Sequence, residues 1–292
     1  MPNPTVAIVG LPGSGKTTFL AALWHIVNST DGNPPALRIG SLAKGAPSYL
    51  NSIARMWRNA TEQGRTQLDG NRLVQMNLID IHERTVEVAF PDVAGEAYQQ
   101  MWEVRDCDED LEALLQAESV LLFINSDTIK PPRWINELNR QAKAMNLPKE
   151  EEGPAPGVKW DPKMAPTQVQ LVDLLQLLRQ YPLDVGPRKL VIGLSAWDKA
   201  EPEGLAPLGF LYAKLPLLAQ YLQANADGWT WKVFGISAQG GQYRSNPASA
   251  VKRDADKKVL DLPEASDRIK IVADDMEMSR DITIPLLWLM GK

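Results

Sequence analysis

Cysteine occurs once in the 292 residues, at Cys107, and histidine twice, at His25 and His82. One cysteine excludes an intramolecular disulfide and any zinc site built on several cysteines, and it fits a reducing, cytoplasmic setting. Cys107 lies in the acidic run 106–112, where neighbouring carboxylates raise a thiol's pKa and make it a poor nucleophile. Neither histidine has a serine or cysteine partner at a recognisable spacing, so no acid–base role is assigned to them. Long apolar runs are also missing: no stretch of about 18 apolar residues occurs, so no membrane-spanning helix is expected. The N-terminal residues lack a basic start before their apolar run, so no secretory leader is expected. Basic residues number 31 against 36 acidic ones, a net charge of −5 with no long basic stripe, which disfavours direct nucleic-acid binding.

The chain is nonetheless rich enough in apolar residues, at 44%, to build a full core, which excludes disorder throughout. At about 150 residues per domain its length allows one large domain or two small ones. Short β-branched apolar runs at 5–9, 73–80, 85–90, 119–125, 189–194 and 229–236 read as strands, the second and third joined as an antiparallel hairpin. Helical spacing marks 16–29, 49–60, 108–117, 132–144, 167–181 and 210–224, and Pro285 opens a short apolar helix. The segments 31–47, 61–70 and 146–166 read as loop, and 240–280 is charged and poorly periodic. Strands alternating with helices predict a three-layer α/β fold, with a mostly parallel central sheet and helices on both faces. No clean linker divides the chain, so the reading is a single domain over 1–292 with insertions at about 31–70, 146–166 and 240–280.

Gly10-Leu11-Pro12-Gly13-Ser14-Gly15-Lys16-Thr17 matches the phosphate-loop pattern G-x-x-x-x-G-K-[ST], between a strand and a helix as that motif requires. Gly13 and Gly15 can take backbone angles that aim successive N–H groups at one point and let phosphate oxygens approach closely. The helix that starts near Lys16, continuing through Thr17 and Thr18, offers unpaired N–H groups and a positive dipole end. Lys16 adds a full charge against the β- and γ-phosphates, and the Thr17 hydroxyl is a Mg²⁺ ligand.

Asp92-Val93-Ala94-Gly95-Glu96 follows the third strand. An acid there can hold Mg²⁺ through water, and the Gly95 N–H can sense a γ-phosphate. The order of motifs resembles the translation-factor and Ras-like (TRAFAC) class of P-loop GTPases. Those proteins follow the phosphate loop with a switch threonine, a D-x-x-G motif, a guanine-reading N-K-x-D and a short Ser-Ala motif. Ser195-Ala196-Trp197-Asp198 stands where N-K-x-D belongs, and Ser237-Ala238 where the Ser-Ala motif belongs. The wording of these motifs most resembles the bacterial double-GTPase domains. The resemblance runs from Gly10 to Ala238 and implies GTP or GDP with Mg²⁺, and a protein partner or effector, with another GTPase subunit as one form of it.

By that resemblance Asp198 accepts from guanine N1–H and N2–H₂, a donor pair that adenine lacks. Two departures weaken the match: the family asparagine is Ser195, with less reach, and the family lysine is Ala196. Trp197 or Lys199 is left to cover the face of the base, while core packing is the alternative role for Trp197. Ser237 and Ala238 would meet the base edge through backbone N–H groups. The residue that orients the attacking water in the resembling proteins is usually glutamine and is Glu96 here, whose charge repels the γ-phosphate and which has no amide donor. Slow or partner-activated hydrolysis follows, with first-turn helix acid as the alternative role for Glu96. The switch threonine is Thr61 or Thr66, with Thr66 preferred as Mg²⁺ ligand because Gly64-Arg65-Thr66 sets a cation beside the hydroxyl. Arg65 would then be an arginine finger in cis, or else an exposed loop residue. Two other functions compete with the GTPase: a nucleotide-bound scaffold without useful turnover, and a P-loop kinase or ATPase using ATP, for which an arginine-rich lid is missing.

Overall fold

The computed structural model describes residues 5–29, 34–61, 73–91, 95–132, 140, 144, 164–241 and 262–291. One nine-stranded sheet runs through them in the order β2-β3-β4-β1-β5-β6-β7-β8-β9. Its centre is parallel: β1 (Thr5–Val9) lies between β4 (Thr85–Pro91) and β5 (Ser119–Asn125), followed by β6 (Arg188–Ser195) and β7 (Trp229–Ser237). β3 (Leu73–Ile79) pairs antiparallel with β4 as the expected hairpin, Leu73 opposite Pro91 and Ile79 opposite Thr85. Asp80 holds the turn by accepting from the N–H groups of His82 and Arg84, at 2.9 and 2.8 Å.

Period-two alternation divides the core between the two faces. Val6, Ile8, Leu121 and Phe123 pack on one side with α1 (Lys16–Asn28), α2 (Pro47–Arg58) and the C-terminal helix Ile284–Met290. Ala7, Val9, Val120, Leu122 and Ile124 pack on the other. There they meet α3 (Gly95–Val104), α4 (Glu109–Leu115) and α5 (Thr167–Leu177). The short α6 (Trp197–Ala200), α7 (Pro207–Lys214) and α8 (Pro216–Ala224) complete that layer, and the C-terminal helix is α9. Helices thus cover both faces of a mixed sheet whose central strands are parallel, with antiparallel strands at both edges.

Several boundaries differ from the sequence reading. The segment read as loop at 31–47 contains β2 (Arg38–Lys44), antiparallel to β3. β2 is an edge strand whose residues are mostly exposed, so it is held by main-chain pairing and carries no apolar alternation to read. The poorly periodic 240–280 contains β8 (Lys270–Val272) and β9 (Met278–Ser279), antiparallel additions at the opposite edge. The helix expected over 210–224 is two helices. Pro216 has no N–H to continue α7, so the chain breaks at Leu215 and restarts. α5 ends at Leu177, not 181, and α3 (Gly95–Val104) is a helix that the sequence reading implies only through the alternative role of Glu96 as a first-turn acid. Most of the helix expected over 132–144 and of the loop 146–166 lies outside the described residues.

The two edge additions meet on the α1 face. Ala36 N–H donates to Asp281 Oδ2 at 2.7 Å and Leu37 N–H to Thr283 Oγ1 at 3.2 Å, just before α9. On the opposite face Trp197, 1% exposed, packs edge-on to Phe210 with ring centroids 5.5 Å apart. Its indole also fills the space a side chain on Gly235 of β7 would need. Gly235→Ala therefore overpacks this face, and we expect it to cost about 1–3 kcal/mol in a urea melt. An unchanged midpoint would show that Trp197 can move aside freely.

Candidate functional site

The parallel strands β1, β5, β6 and β7 deliver their C-terminal ends to one edge of the sheet, where open α/β folds bind ligands. β1 runs into the phosphate loop. Gly10, Gly13 and Gly15 there have φ of +155°, +71° and +90°, and Gly15 in the left-handed region is the N-cap of α1. A loop that turns its N–H groups outward must turn carbonyls inward, and each inward carbonyl needs a donor. Lys16 Nζ donates to Gly10 O at 2.6 Å and Leu11 O at 3.1 Å, and to Ser14 Oγ at 3.2 Å. Asn125 Nδ2, from the end of β5, donates to Gly13 O at 3.0 Å. Ser195 Oγ, from the end of β6, donates to Ser14 O at 2.8 Å and is buried. Asn125 and Ser195 are direct partners in the β5–β6 register, so two neighbouring strand ends hold two successive carbonyls of the loop.

The serine at the place of the family asparagine thus still reaches the loop. It does so because Gly15 lets it come close: a Cβ on Gly15 would lie 3.0 Å from both Ser195 Cβ and Oγ. Ala196 adopts left-handed φ 51°, ψ 38°, a strained conformation for a residue with a Cβ. Ser126 fixes it, donating from Oγ to the carbonyls of Ser195 and Ala196 at 2.7 and 3.0 Å.

Beside the loop lies a cleft of about 370 Å³. Gly13, Gly15 and Thr18 line its phosphate-loop side, Asn125, Asp127 and Ser195 its centre, and Asp198, Lys199, Ala238 and Gln239 its far side. Asp198 is held in place by Ser237, whose hydroxyl donates to Oδ1 at 2.9 Å and accepts from Gly240 N–H at 3.3 Å. The sequence-read residues Gly13, Gly15, Thr18, Ser195, Asp198 and Ala238 therefore meet around one hollow, with Ser237 directly behind Asp198. Trp197 does not join them. Its indole belongs to the core beneath, which is the alternative role given to it, and Lys199 is the residue of that pair that lines the cleft.

Thr17 stands in the first turn of α1, next to Lys16. β4, which ends at Pro91 immediately before Asp92, lies beside β1. Asp92 itself, Arg65 and Thr66 lie outside the described residues, whereas Thr61 is described and donates its N–H to Met56 O at 2.9 Å. Gly95 and Glu96 begin α3, so Glu96 has the first-turn place where a carboxylate suits the helix dipole. Among the described residues no group of three His, Cys, Asp or Glu side chains could hold a metal. The hydroxyl and carboxylate donors read for the metal, Thr17, Thr66 and Asp92, are hard oxygen ligands of the kind Mg²⁺ takes alongside phosphate oxygens.

Four contributors escaped the sequence reading. Asn125 and Asp127 follow an apolar strand, and a polar residue ending such a strand beside the phosphate loop is the signal that could have marked them. Gln239 is simply next to the Ser-Ala motif. Tyr98, three residues into α3, is wholly buried, donates to Ile8 O at 3.2 Å, and lies under the Lys16 ammonium, 5.6 Å from ring centre to Nζ. Burial pushes its phenol far up, so it stays neutral. Cys107 is raised by burial and by Glu112, Asp106 and Asp108, in the direction expected of a thiol among acids.

Residues 7–289 match the family model of Double-GTPase 1. The chain belongs to the Double-GTPase 1 family. No curated protein matches the chain. Among solved structures it is similar to the Ski7 GTPase-like domain of S. cerevisiae bound to GTP. The identity is 14% and the TM-score 0.39, over 88% of this chain and 48% of that one. It is also similar to the signal recognition particle receptor SRb-GTP/SRX complex of Chaetomium thermophilum, at 11% and 0.38 over 82% and 92%. A third is the bacterial selenocysteine-specific elongation factor EF-Sec, at 11% and 0.36. That match covers 82% of this chain, which spans only 27% of the length of EF-Sec. Likenesses this distant carry no argument about activity. Among the described residues no helix is long and apolar enough to cross a membrane.

Removing the Ser195 hydroxyl leaves Ser14 O without its buried donor. We expect Ser195→Ala to weaken nucleotide binding about 5- to 150-fold, equivalent to about 1–3 kcal/mol, in a titration calorimetry measurement. Wild-type affinity in this variant would show that the loop holds its shape without Ser195.

Proposed function

We propose that the chain is a magnesium-dependent guanine-nucleotide-binding protein that hydrolyses GTP slowly and switches partner binding through two nucleotide-sensing loops. The observation that most supports this reading is the single cleft that joins the phosphate loop to Asp198, in a chain of the Double-GTPase 1 family. The N–H groups of 13–18 and the Lys16 ammonium bind the phosphates, and Asp198, kept in register by Ser237, reads the base. Ser237 and Ala238 meet the base edge through the backbone, and Lys199 covers its face in place of the family lysine. Thr17, Asp92 and Thr66 would hold Mg²⁺, which when bound neutralises charge on the β- and γ-phosphate oxygens. Gly95 senses the γ-phosphate from the first turn of α3, and Glu96 beside it is a poor orienter of water because its charge opposes that of the phosphate. The chain acts as one domain, cytoplasmic, with insertions at about 31–70, 146–166 and 240–280. Its partner is a protein, with a second GTPase subunit as one form of it.

Two measurements test the reading. Titration with GDP, GTP, ADP and ATP in Mg²⁺ is expected to show a clear guanine preference, lost with all nucleotide binding in Lys16→Ala. Tighter binding of ATP than GTP would overturn the base assignment. In single-turnover hydrolysis Glu96→Gln is expected to equal or exceed wild type, since it removes the repelling charge and adds a donor. A large fall with unchanged binding would make the carboxylate itself the working group. Glu96 also favours a second reading, a nucleotide-dependent scaffold. Absence of multiple-turnover phosphate release in both wild type and Glu96→Gln would establish it.

A further inference from the structure

The loop that follows β7 is held from behind by two residues outside the phosphate and base motifs. Trp57, in α2, is fully buried, and its indole N–H donates to Ala238 O at 2.8 Å. Arg268, 5% exposed, comes from the 3₁₀ helix Ala265–Arg268 and lays its guanidinium over the Trp57 ring, 4.7 Å from the centroid. Its Nη2 donates to Arg58 O at 2.9 Å and its Nε to Ala265 O at 3.1 Å. Gly240, at φ +76°, passes so close to Arg268 that a Cβ there would lie 2.8 Å from Arg268 O. Trp57 belongs to the segment 31–70 and Arg268 to 240–280, so both surplus segments converge on the loop that carries Ala238 and Gln239.

A buried indole N–H needs an acceptor, but nothing obliges that acceptor to be a carbonyl of the base-facing loop. The choice has a geometric consequence. In a trans peptide the C=O of Ala238 and the N–H of Gln239 point in opposite directions. Holding the carbonyl on Trp57 aims that N–H away from α2, and both Ala238 and Gln239 line the cleft. The Arg268 guanidinium stacked on the indole keeps the ring from tilting and ties it to the last carbonyl of α2.

We propose that Trp57 and Arg268 are positioning residues for base recognition, a brace that presets the loop after β7 so that its backbone donors and Asp198 are in place before a nucleotide arrives. This rests on the guanine-nucleotide reading above and extends it to residues that touch no nucleotide. A preset loop loses less freedom on binding, so the brace acts on affinity for the base and on its release, not on the phosphates.

The test compares wild type, Trp57→Phe and Arg268→Met for affinity toward GDP, ADP and inorganic tripolyphosphate, with Asp198→Ala alongside. Trp57→Phe keeps an aromatic ring under Arg268 and removes the N–H together with the indole's five-membered ring. We expect GDP to bind about tenfold more weakly and leave faster, while ADP and tripolyphosphate hold wild-type affinity. The GDP-over-ADP preference then falls by the same factor. Arg268→Met is expected to move the preference in the same direction, and it carries the test should Trp57→Phe fail to fold. A wild-type GDP-over-ADP ratio in the folded variants overturns the proposal. So does a parallel loss of tripolyphosphate binding, which would mark a merely structural role. If wild type itself shows no guanine preference and Asp198→Ala changes nothing, the guanine reading fails and the brace with it.

Discussion

The whole site depends on the inward carbonyls of the phosphate loop. A backbone that offers several N–H groups to an anion has its C=O groups facing the protein, where an unpaired one costs about 1–3 kcal/mol. Lys16, Asn125 and Ser195 supply the donors, for Gly10 and Leu11, Gly13, and Ser14 respectively. Two of the three stand at the ends of β5 and β6, so the shape of the loop depends on the sheet as well as on the loop's own glycines and lysine. This is why the cleft lies where the parallel strands end, and why, on the proposed reading, a chain of net charge −5 needs no basic surface to hold a triphosphate. On that reading a few aimed dipoles and one ammonium, backed by side-chain bonds to the loop carbonyls, do what a charged patch does elsewhere.

The same demand explains the tolerance for Ser195. An asparagine can reach a loop carbonyl from farther away; a serine must stand closer. Gly15 makes that possible, since any side chain there would meet Ser195 at 3.0 Å. The shorter donor and the glycine are one arrangement, and the strain of Ala196 in the left-handed region is its accompaniment. The Ser195 carbonyl, which accepts from Ser126 N–H at 3.0 Å and from its hydroxyl, anchors the turn that then swings Asp198 toward the cleft and Trp197 into the core.

What could be read in the sequence was whatever leaves a periodic or a chemical trace. The parallel strands are apolar on both faces and stood out as runs; the phosphate loop stood out because glycines, lysine and threonine at that spacing have few other uses. β2 left no trace because an exposed edge strand is held by backbone bonds, which any residues can make, and Arg38, Ser41 and Lys44 give no hydrophobic period. β8 and β9, of three and two residues, are too short for any period to show. Trp197 illustrates the limit for side chains: its position next to Asp198 put it near the base, and only the local backbone turn decides which way it points. Asn125 was inside a correctly read strand, yet its role depends on β5 being neighbour to both β1 and β6, a fact of topology that no local pattern contains.

The surplus length also takes on a physical role. Segments 38–44 and 270–279 extend the sheet at its two edges, and the chain before β2 is tied to the chain before α9 through Asp281 and Thr283. Additions so far apart in sequence can influence one loop only if they are rigidly joined, and the α1 face provides the joint. α2 packs against α1, which starts at the phosphate loop; Trp57 of α2 holds Ala238; Arg268 holds Trp57 and crowds Gly240. On the reading proposed above, Ser195, Ala196 and Asp198 form the base-reading motif, and little rigidity can come from their own side chains. Ser126 braces the first two residues, Ser237 the aspartate, and Trp57 the loop that faces it. Selectivity between bases requires that a mismatched base leave polar groups unpaired, and that penalty exists only where the groups cannot move to follow it. Under the guanine reading proposed above, rigidity supplied by these neighbours is what lets so short a motif discriminate between bases.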